Sequence, residues 1–236
     1  MKNKLSKGYL TGNQLKLIAL ITMTIDHIGL AFFPGHILFR ITGRIAFPIF
    51  AYMIAEGCKY TKNKKRYFLT ISVLAVIFQL FYSYTKRNLY MSILVTFSLS
   101  ILLIYAIDCM KKKQTFKSVF YATALFSTVY IITSALPLLL KRYNFNIDYG
   151  LWGVMLPVFI SVGEKKTHRL IFFSIGLFFL SLSLGYIQWF SLITIPILFL
   201  YNGKRGKYNM KKLFYIYYPA HLAVIYLITL AIKFIR

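Results

Sequence analysis

Two neighbouring residues near the N-terminus, Asp26 and His27, carry side chains that can exchange protons. They lie within a run of about 20 mostly apolar residues, which is the length that a membrane-spanning helix needs. An ionisable group at membrane depth costs at least about 2.5–3.5 kcal/mol, so it normally faces the protein interior and takes part in function. A histidine titrates near neutral pH and can accept a proton from an attacking amine or hydroxyl group. His27 is therefore the best candidate for a general base.

Two arginines in the next apolar run provide a partner for Asp26. Arg40 and Arg44 are four residues apart, so they share one face of a helix. Arg44 and Asp26 are each expected about 9–11 Å from the outer ends of their helices, and consecutive antiparallel helices would place them side by side. The spacing predicts an Asp26–Arg44 ion pair. That pair could be catalytic, or it could only lock two helices together.

A second candidate histidine, His221, lies about eight residues into the last apolar run, near the expected midplane of the bilayer. It follows Pro219, which cannot donate a backbone hydrogen bond and frees a carbonyl group one turn earlier. Pro48, Pro157 and Pro196 interrupt three other apolar runs. Such interruptions are tolerated in a membrane where protein or water satisfies the freed groups. They indicate a polar interior cavity, although proline kinks are also common in membrane helices.

The elements that must position these side chains are apolar helices. The chain is 58% hydrophobic and 14% charged, whereas a soluble domain carries about 25% charged residues. We predict an all-α, polytopic membrane helical bundle that forms a single domain over residues 1–236. Because only residues 184–186 separate the seventh and eighth spans, eight spans remain an alternative to nine. The candidate spans are 15–33, 39–58, 67–84, 90–110, 117–140, 148–163, 169–185, 187–201 and 213–233.

The 29 lysines and arginines outnumber the five acidic residues and give a net charge of +24. They fall in short clusters between apolar runs, which argues against a nucleic-acid-binding face. With the N-terminus inside, 21 of them lie on the cytoplasmic side and eight on the outer side. This bias favours nine spans and an external C-terminus. We therefore expect a multi-pass protein of the cell membrane whose surroundings are the lipid bilayer and not nucleic acid.

Several ordered motifs resemble those of the TraX family. They extend from about residue 14 to the end of the last span, and a set of motifs in order is far more specific than any single one. The motifs are 15–19 (LKLIA), 24–29 (TIDHIG), 43–51 (GRIAFPIFA) with 56–57 (EG), 148–154 (DYGLWGV), 201–206 (YNGKRG) and 214–222 (FYIYYPAHL).

The resemblance implies an activity and assigns residues to it. The family is named for a conjugative-plasmid membrane protein required to N-acetylate pilin, and it is grouped with transmembrane acyltransferases. Those helical bundles pass an acetyl group from acetyl-CoA to an acceptor at or across the membrane. Their essential residue is a histidine early in the first core helix, which corresponds to His27. The resemblance makes Asp26, Arg44 and His221 the other candidate catalytic residues.

The expected reaction is acetyl transfer from acetyl-CoA, with Arg44 or helix-borne donors stabilising the oxyanion. Coenzyme A phosphates are expected near Lys204, Arg205 and Asn202, with Arg40 as a further binding candidate. The acceptor stays open among a peptide N-terminus, a sugar and a lipid headgroup, because the Lys- and Tyr-rich composition is unlike that of a conjugative-pilus protein. The alternative is a transporter or export protein that uses the buried Asp, His and Arg cluster. A third possibility is a non-catalytic assembly factor, which would tolerate loss of both histidines.

Overall fold

A computed structural model describes residues 8–208 and 210–235 of the chain. Several basic residues that contribute to the predicted charge bias lie outside the described residues. These are Lys2, Lys4, Lys7 and Arg236, together with the side chains of Lys86, Lys211, Lys212 and Lys233.

Helices make up most of the described chain. Two residue pairs, β1 (Tyr90–Met91) and β2 (Asn146–Ile147), form a short parallel ladder. A π-helical turn, Ile131–Ala135, joins α6 to α7, and a 3-10 helix, Tyr186–Ile193, precedes α10. The α-helices are α1 Gly12–Phe32, α2 Ile37–Gly43, α3 Ala46–Tyr60, α4 Lys64–Lys86, α5 Ile93–Lys113, α6 Phe116–Tyr130, α7 Leu136–Leu139, α8 Gly150–Val162, α9 Lys166–Leu184, α10 Thr194–Phe199 and α11 Lys211–Ile235.

The helices confirm the predicted fold class. Within the described residues, six helical segments are long and apolar enough to cross a membrane. Three shorter apolar helices, Gly150–Val162, Tyr186–Phe199 and Ile216–Ile232, coincide with the sixth, eighth and ninth predicted spans. The chain is thus an all-α, polytopic helical bundle.

The second predicted span is not a continuous helix. It is divided into α2 and α3, with the break at Arg44 and Ile45. Pro48 accounts for the break, because its ring clashes with the carbonyl group four residues earlier, that of Arg44, and has no N–H to donate to it. A proline in the first turn of a helix is well tolerated, so α3 starts just before Pro48.

Contacts between residues divide the described chain into two compact units. Unit 1 contains the described residues of Met1–Met53 and Leu184–Arg236, and unit 2 contains Ile54–Ser183. The prediction of a single domain over the whole chain stays a prediction. All eight residues expected at the site belong to unit 1.

In unit 1, the loop that precedes α11 is bound to the start of α1. The backbone N–H groups of Gly12 and Asn13 donate to the carbonyls of Lys204 (2.8 Å) and Arg205 (2.9 Å). The side-chain Nδ2 atom of Asn13 donates to the carbonyl of Tyr208 at 2.7 Å. The two backbone bonds satisfy N–H groups that the first turn of a helix leaves unpaired. They also make α1 and α11 begin at the same end of unit 1.

In unit 2, a buried ion pair joins α3 to α9. The Arg169 guanidinium donates to the Glu56 carboxylate and, through Nε, to the carbonyl of Ile160. Arg169 is only 3% exposed. Glu56 thus has a partner more than 100 residues away in the sequence.

A second polar contact in unit 2 lies beside the short β ladder. The Tyr90 hydroxyl donates to the Asp148 carboxylate at 2.7 Å, and the Thr96 hydroxyl donates to the Asp148 carbonyl. Burial and the neighbouring Asp148 carboxylate raise the pKa of the Tyr90 phenol. Tyr90 therefore keeps its proton and remains a donor.

We expect Arg169→Met to lower the free energy of unfolding by about 3–5 kcal/mol, because it leaves the Glu56 charge buried without its partner. The double variant Glu56→Leu/Arg169→Met should recover most of that loss. Denaturation of the purified protein in detergent measures both effects. The control is Asp108→Asn, which removes a solvent-facing pair with Lys64 and should cost no more than about 1 kcal/mol. Equal losses in the single and double variants would contradict this account.

Candidate active site

The two predicted histidines meet in unit 1. His27 of α1 and His221 of α11 approach to 2.8 Å between Nδ1 and Nε2, respectively. Their rings stack with centroids 5.1 Å apart and an interplanar angle of 18°. His221 is 7% exposed. The structure therefore joins two of the predicted catalytic residues by a direct hydrogen bond.

The hydrogen-bond network assigns a tautomer to each histidine. The Nδ1 atom of His221 lies 2.9 Å from the carbonyl oxygen of Tyr217, so it carries the proton and donates. The Nε2 atom of His221 then accepts from His27 Nδ1–H. In the neutral pair, Nε2 of His27 keeps its lone pair, and it has no hydrogen-bond partner among the described residues. This nitrogen is available to accept a proton.

Contacts one turn below the histidines hold α1 and α11 in register. The hydroxyl groups of Thr24 and Tyr217 are 2.8 Å apart, and the Tyr217 ring stacks on His221 with centroids 5.4 Å apart. Nearer the start of both helices, the Lys16 ammonium lies 5.2 Å from the centre of the Phe214 ring. Because these contacts follow the same order along both helices, α1 and α11 run parallel.

The predicted Asp26–Arg44 ion pair is wrong, and the partner of Asp26 is Arg40. The Arg40 Nη1 and Asp26 Oδ1 atoms are 2.7 Å apart. Gly43 packs directly on Asp26, since a Cβ atom added to Gly43 would overlap the Asp26 carboxyl group. Arg40 lies three residues before Gly43 on the same face of α2, whereas Arg44 follows the end of the helix. The prediction from the membrane depths of Asp26 and Arg44 failed because it assumed that the second span is one uninterrupted helix.

Arg44 instead contacts the 3-10 helix. Its Nη1 atom donates to Oε1 of Gln188 at 3.2 Å, and its buried Nε atom has no hydrogen-bond partner among the described residues. The Asp26 carboxylate still attracts Arg44 electrostatically. Gln188 is only 1% exposed, and the sequence analysis missed it. The sequence feature that could have identified Gln188 is its position as a polar residue within the apolar run 186–199.

Three of the four predicted donor-binding residues, Asn202, Lys204 and Arg205, lie apart from the histidines. The Asn202 side chain accepts from the backbone N–H of Lys204 at 2.8 Å, and the side chains of Lys204 and Arg205 are exposed. This loop contacts the start of α1 at Gly12. His27 is 15 residues further along that helix, or about 22 Å at 1.5 Å per residue. The structure therefore brings Asp26, His27, Arg40, Arg44 and His221 to the same height along α1. The loop that carries Asn202, Lys204 and Arg205, which we call the basic loop, lies at the start of that helix.

Comparisons with known proteins agree with the motifs. The sequence profile of the family described as "TraX protein" matches residues 11–229. A Dichelobacter nodosus protein named "Probable fimbrial assembly protein FimC, serogroup H1" is 26% identical over 239 residues, which cover 90% of this chain and 93% of that protein. An uncharacterized protein of Rickettsia prowazekii (strain Madrid E) is 33% identical over 159 residues, which cover 66% of this chain and 58% of that protein. No solved structure matches the chain significantly.

The packing of Gly43 on Asp26 predicts the effect of one added methyl group. Gly43→Ala should displace the Asp26 carboxyl group and lower the free energy of unfolding by about 1–3 kcal/mol, as overpacking commonly does. Gly35→Ala is the matched control, because a Cβ atom there would meet nothing within 4 Å. Thermal unfolding of both variants in detergent tests the contact. If the two alanines have the same effect, Gly43 does not support Asp26.

Proposed function

The chain belongs to the TraX family, and from this premise we propose that it is a membrane-bound acyltransferase that transfers acetyl from acetyl-CoA to an amine or hydroxyl acceptor. The observation that carries the proposal is the hydrogen bond between His27 and His221. It fixes the tautomer of His27 and leaves Nε2 as a base, since a general base must be able to accept a proton from the attacking group.

The reaction requires two proton transfers through His27. The acceptor nitrogen or oxygen attacks the thioester carbonyl carbon and gives its proton to Nε2 of His27, forming a tetrahedral intermediate. The intermediate collapses by breaking the carbon–sulfur bond, and the leaving thiolate takes the proton back from His27. His221 accepts from Nδ1–H of His27 throughout. It acts as a positioning residue that stabilises the imidazolium form of His27, as the third member of a catalytic triad does.

The oxyanion that develops on the thioester carbonyl needs hydrogen-bond donors, and we assign this role to Arg44. Its Nε–H is buried and is not used by another residue in the described part of the chain. Gln188 fixes the guanidinium by accepting from Nη1. Donors held in place at a site that excludes water contribute strongly to transition-state stabilisation. Asp26 holds Arg40 and, through its negative charge, balances the second arginine.

We assign the phosphates of the acyl donor to the loop that carries Asn202, Lys204 and Arg205. Its two basic side chains are exposed, while its backbone is fixed by bonds to the start of α1. The acyl end of the donor would then extend along α1 to reach His27. Arg40 is paired with Asp26, so we place it with the catalytic residues and not with those that bind the donor phosphates.

The parallel course of α1 and α11 supports the orientation that the basic residues favour. If each apolar segment crosses the membrane, parallel first and last helices require an odd number of spans. Nine spans place a cytoplasmic N-terminus opposite an external C-terminus in the cell membrane. The basic loop then lies on the cytoplasmic side, where acetyl-CoA is made, and His27 lies in the outer half.

Among the acceptors, we favour the N-terminal amine of an exported protein subunit. The Dichelobacter relative is named as a fimbrial assembly protein, and fimbriae are assembled from protein subunits. A sugar or lipid headgroup would use the same base and the same oxyanion donor. Incubating membranes with labelled acetyl-CoA and identifying the labelled product distinguishes the three acceptors.

We expect His27→Ala to lower acetyl transfer by at least about 100-fold, because it removes the general base. His221→Phe should cause a smaller loss, since it keeps a ring but removes the acceptor for His27. The measurement is label transferred from acetyl-CoA in membranes that contain equal amounts of each inserted protein. His168→Ala is the control, because His168 is an exposed histidine of unit 2.

Two results would contradict the proposal. Transfer at the wild-type rate by His27→Ala would remove the mechanism. Wild-type membranes that release a transported solute, without labelling any acceptor, would favour the transporter.

A further inference from the structure

Three buried polar side chains follow one another at intervals of three residues along the 3-10 helix of unit 1 and into the first residue of α10. Gln188, Ser191 and Thr194 are 1%, 0% and 0% exposed, respectively. Residues three apart in a 3-10 helix eclipse one another, so the three side chains share one face. At about 2.0 Å per residue, the three residues extend over about 12 Å. We refer to these three residues as the polar stripe.

The helix type is what produces this alignment. In an α-helix, residues three apart are rotated by about 60°, so Gln188, Ser191 and Thr194 would spread around the helix. The 3-10 run is eight residues long, although runs longer than three or four residues are uncommon.

Ser191 points to a ligand. Its buried hydroxyl group has no hydrogen-bond partner among the described residues. A buried polar group without a partner loses the hydrogen bonds that water would give it, so such groups are rare and require an explanation. The Thr194 hydroxyl donates to the Ser191 carbonyl at 2.6 Å, which leaves its oxygen able to accept.

The polar stripe lies between the two parts of the proposed site. At one end, Gln188 accepts from Arg44. At the other end, α10 leads to Tyr201, which is joined to Leu10 beside the start of α1. The basic loop begins at the next residue. A ligand that follows the polar stripe therefore extends from Arg44 toward the basic loop.

We infer that the polar stripe binds the pantetheine arm of the acyl donor, an inference that rests on the proposed acyl transfer. That arm is a linear chain of twelve bonds between a phosphate oxygen and the sulfur, which corresponds to about four peptide residues, or ~14 Å when extended. It carries two amide groups and one hydroxyl group. Amide groups within a membrane protein need hydrogen-bond partners, and the polar stripe provides them over a similar length.

The orientation assigns a different part of the arm to each residue. With the thioester near Arg44 and His27, the amide closest to the sulfur lies beside Gln188. The distal amide and the hydroxyl group lie beside Ser191 and Thr194. A short donor that ends after the first amide therefore does not reach Ser191.

The test compares Ser191→Ala with wild-type protein and with Ser98→Ala, whose hydroxyl group already donates to the Leu94 carbonyl at 2.9 Å. The dissociation constants of coenzyme A and of pantetheine should each rise about tenfold in Ser191→Ala. The KM for acetyl-CoA should rise with them, whereas the KM for S-acetyl-N-acetylcysteamine should change less than twofold. The unfolding temperature should not fall, because the substitution removes a hydroxyl group without a protein partner.

Each other outcome overturns the inference. If wild-type protein binds coenzyme A and transfers acetyl but Ser191→Ala has unchanged constants, the polar stripe does not bind the donor and the acyltransferase proposal stands. If Ser191→Ala lowers the unfolding temperature, the hydroxyl group has a packing role. If wild-type protein neither binds coenzyme A nor transfers acetyl from any of the thioesters, the inference and the proposed function fail together.

Discussion

The hydrogen bond between His27 and His221 joins two helices that are separated by most of the chain, and the geometry of the site depends on it. It forms because α1 and α11 start at one end of unit 1 and run in the same direction. The backbone bonds from Gly12 and Asn13 to the loop before α11 set that common start. The Thr24–Tyr217 contact then fixes the register one turn below the histidines. A displacement of either helix by one turn would separate the two rings.

The remaining geometry follows from the free-energy cost of placing polar and charged groups in an apolar environment. Charged groups within a bundle must be paired, and both units meet this requirement with an acid and an arginine. In the Glu56–Arg169 pair of unit 2, Arg169 also donates to a backbone carbonyl, which is typical of a pair that stabilises the fold. In unit 1, the Asp26–Arg40 pair lies beside the hydrogen-bonded histidines His27 and His221. A paired charge next to side chains that can exchange protons is what distinguishes this cluster from the pair in unit 2.

Much of this arrangement could be read from the sequence. The nine apolar segments and the fold class follow from composition and length, and the membrane depth of Asp26, His27 and His221 identified them as candidates. The partner of Asp26 was not predictable by depth alone, because Pro48 divides the second span and leaves Gly43 opposite the carboxylate. The contact between His27 and His221 was also hidden, since no local pattern states that the first and last helices are neighbours. Gln188 was missed because one polar residue in a short apolar run does not by itself indicate burial or a partner.

The long 3-10 helix also explains how a short segment can cover a long distance. Tyr186–Phe199 has 14 residues, which as an α-helix would span about 21 Å. With eight of them in 3-10 geometry the length rises to about 25 Å. That gain lets one segment run from the level of Arg44 to the start of α1, where Tyr201 joins Leu10. The same helix type that covers the distance also aligns Gln188, Ser191 and Thr194, so length and polar alignment have a common cause.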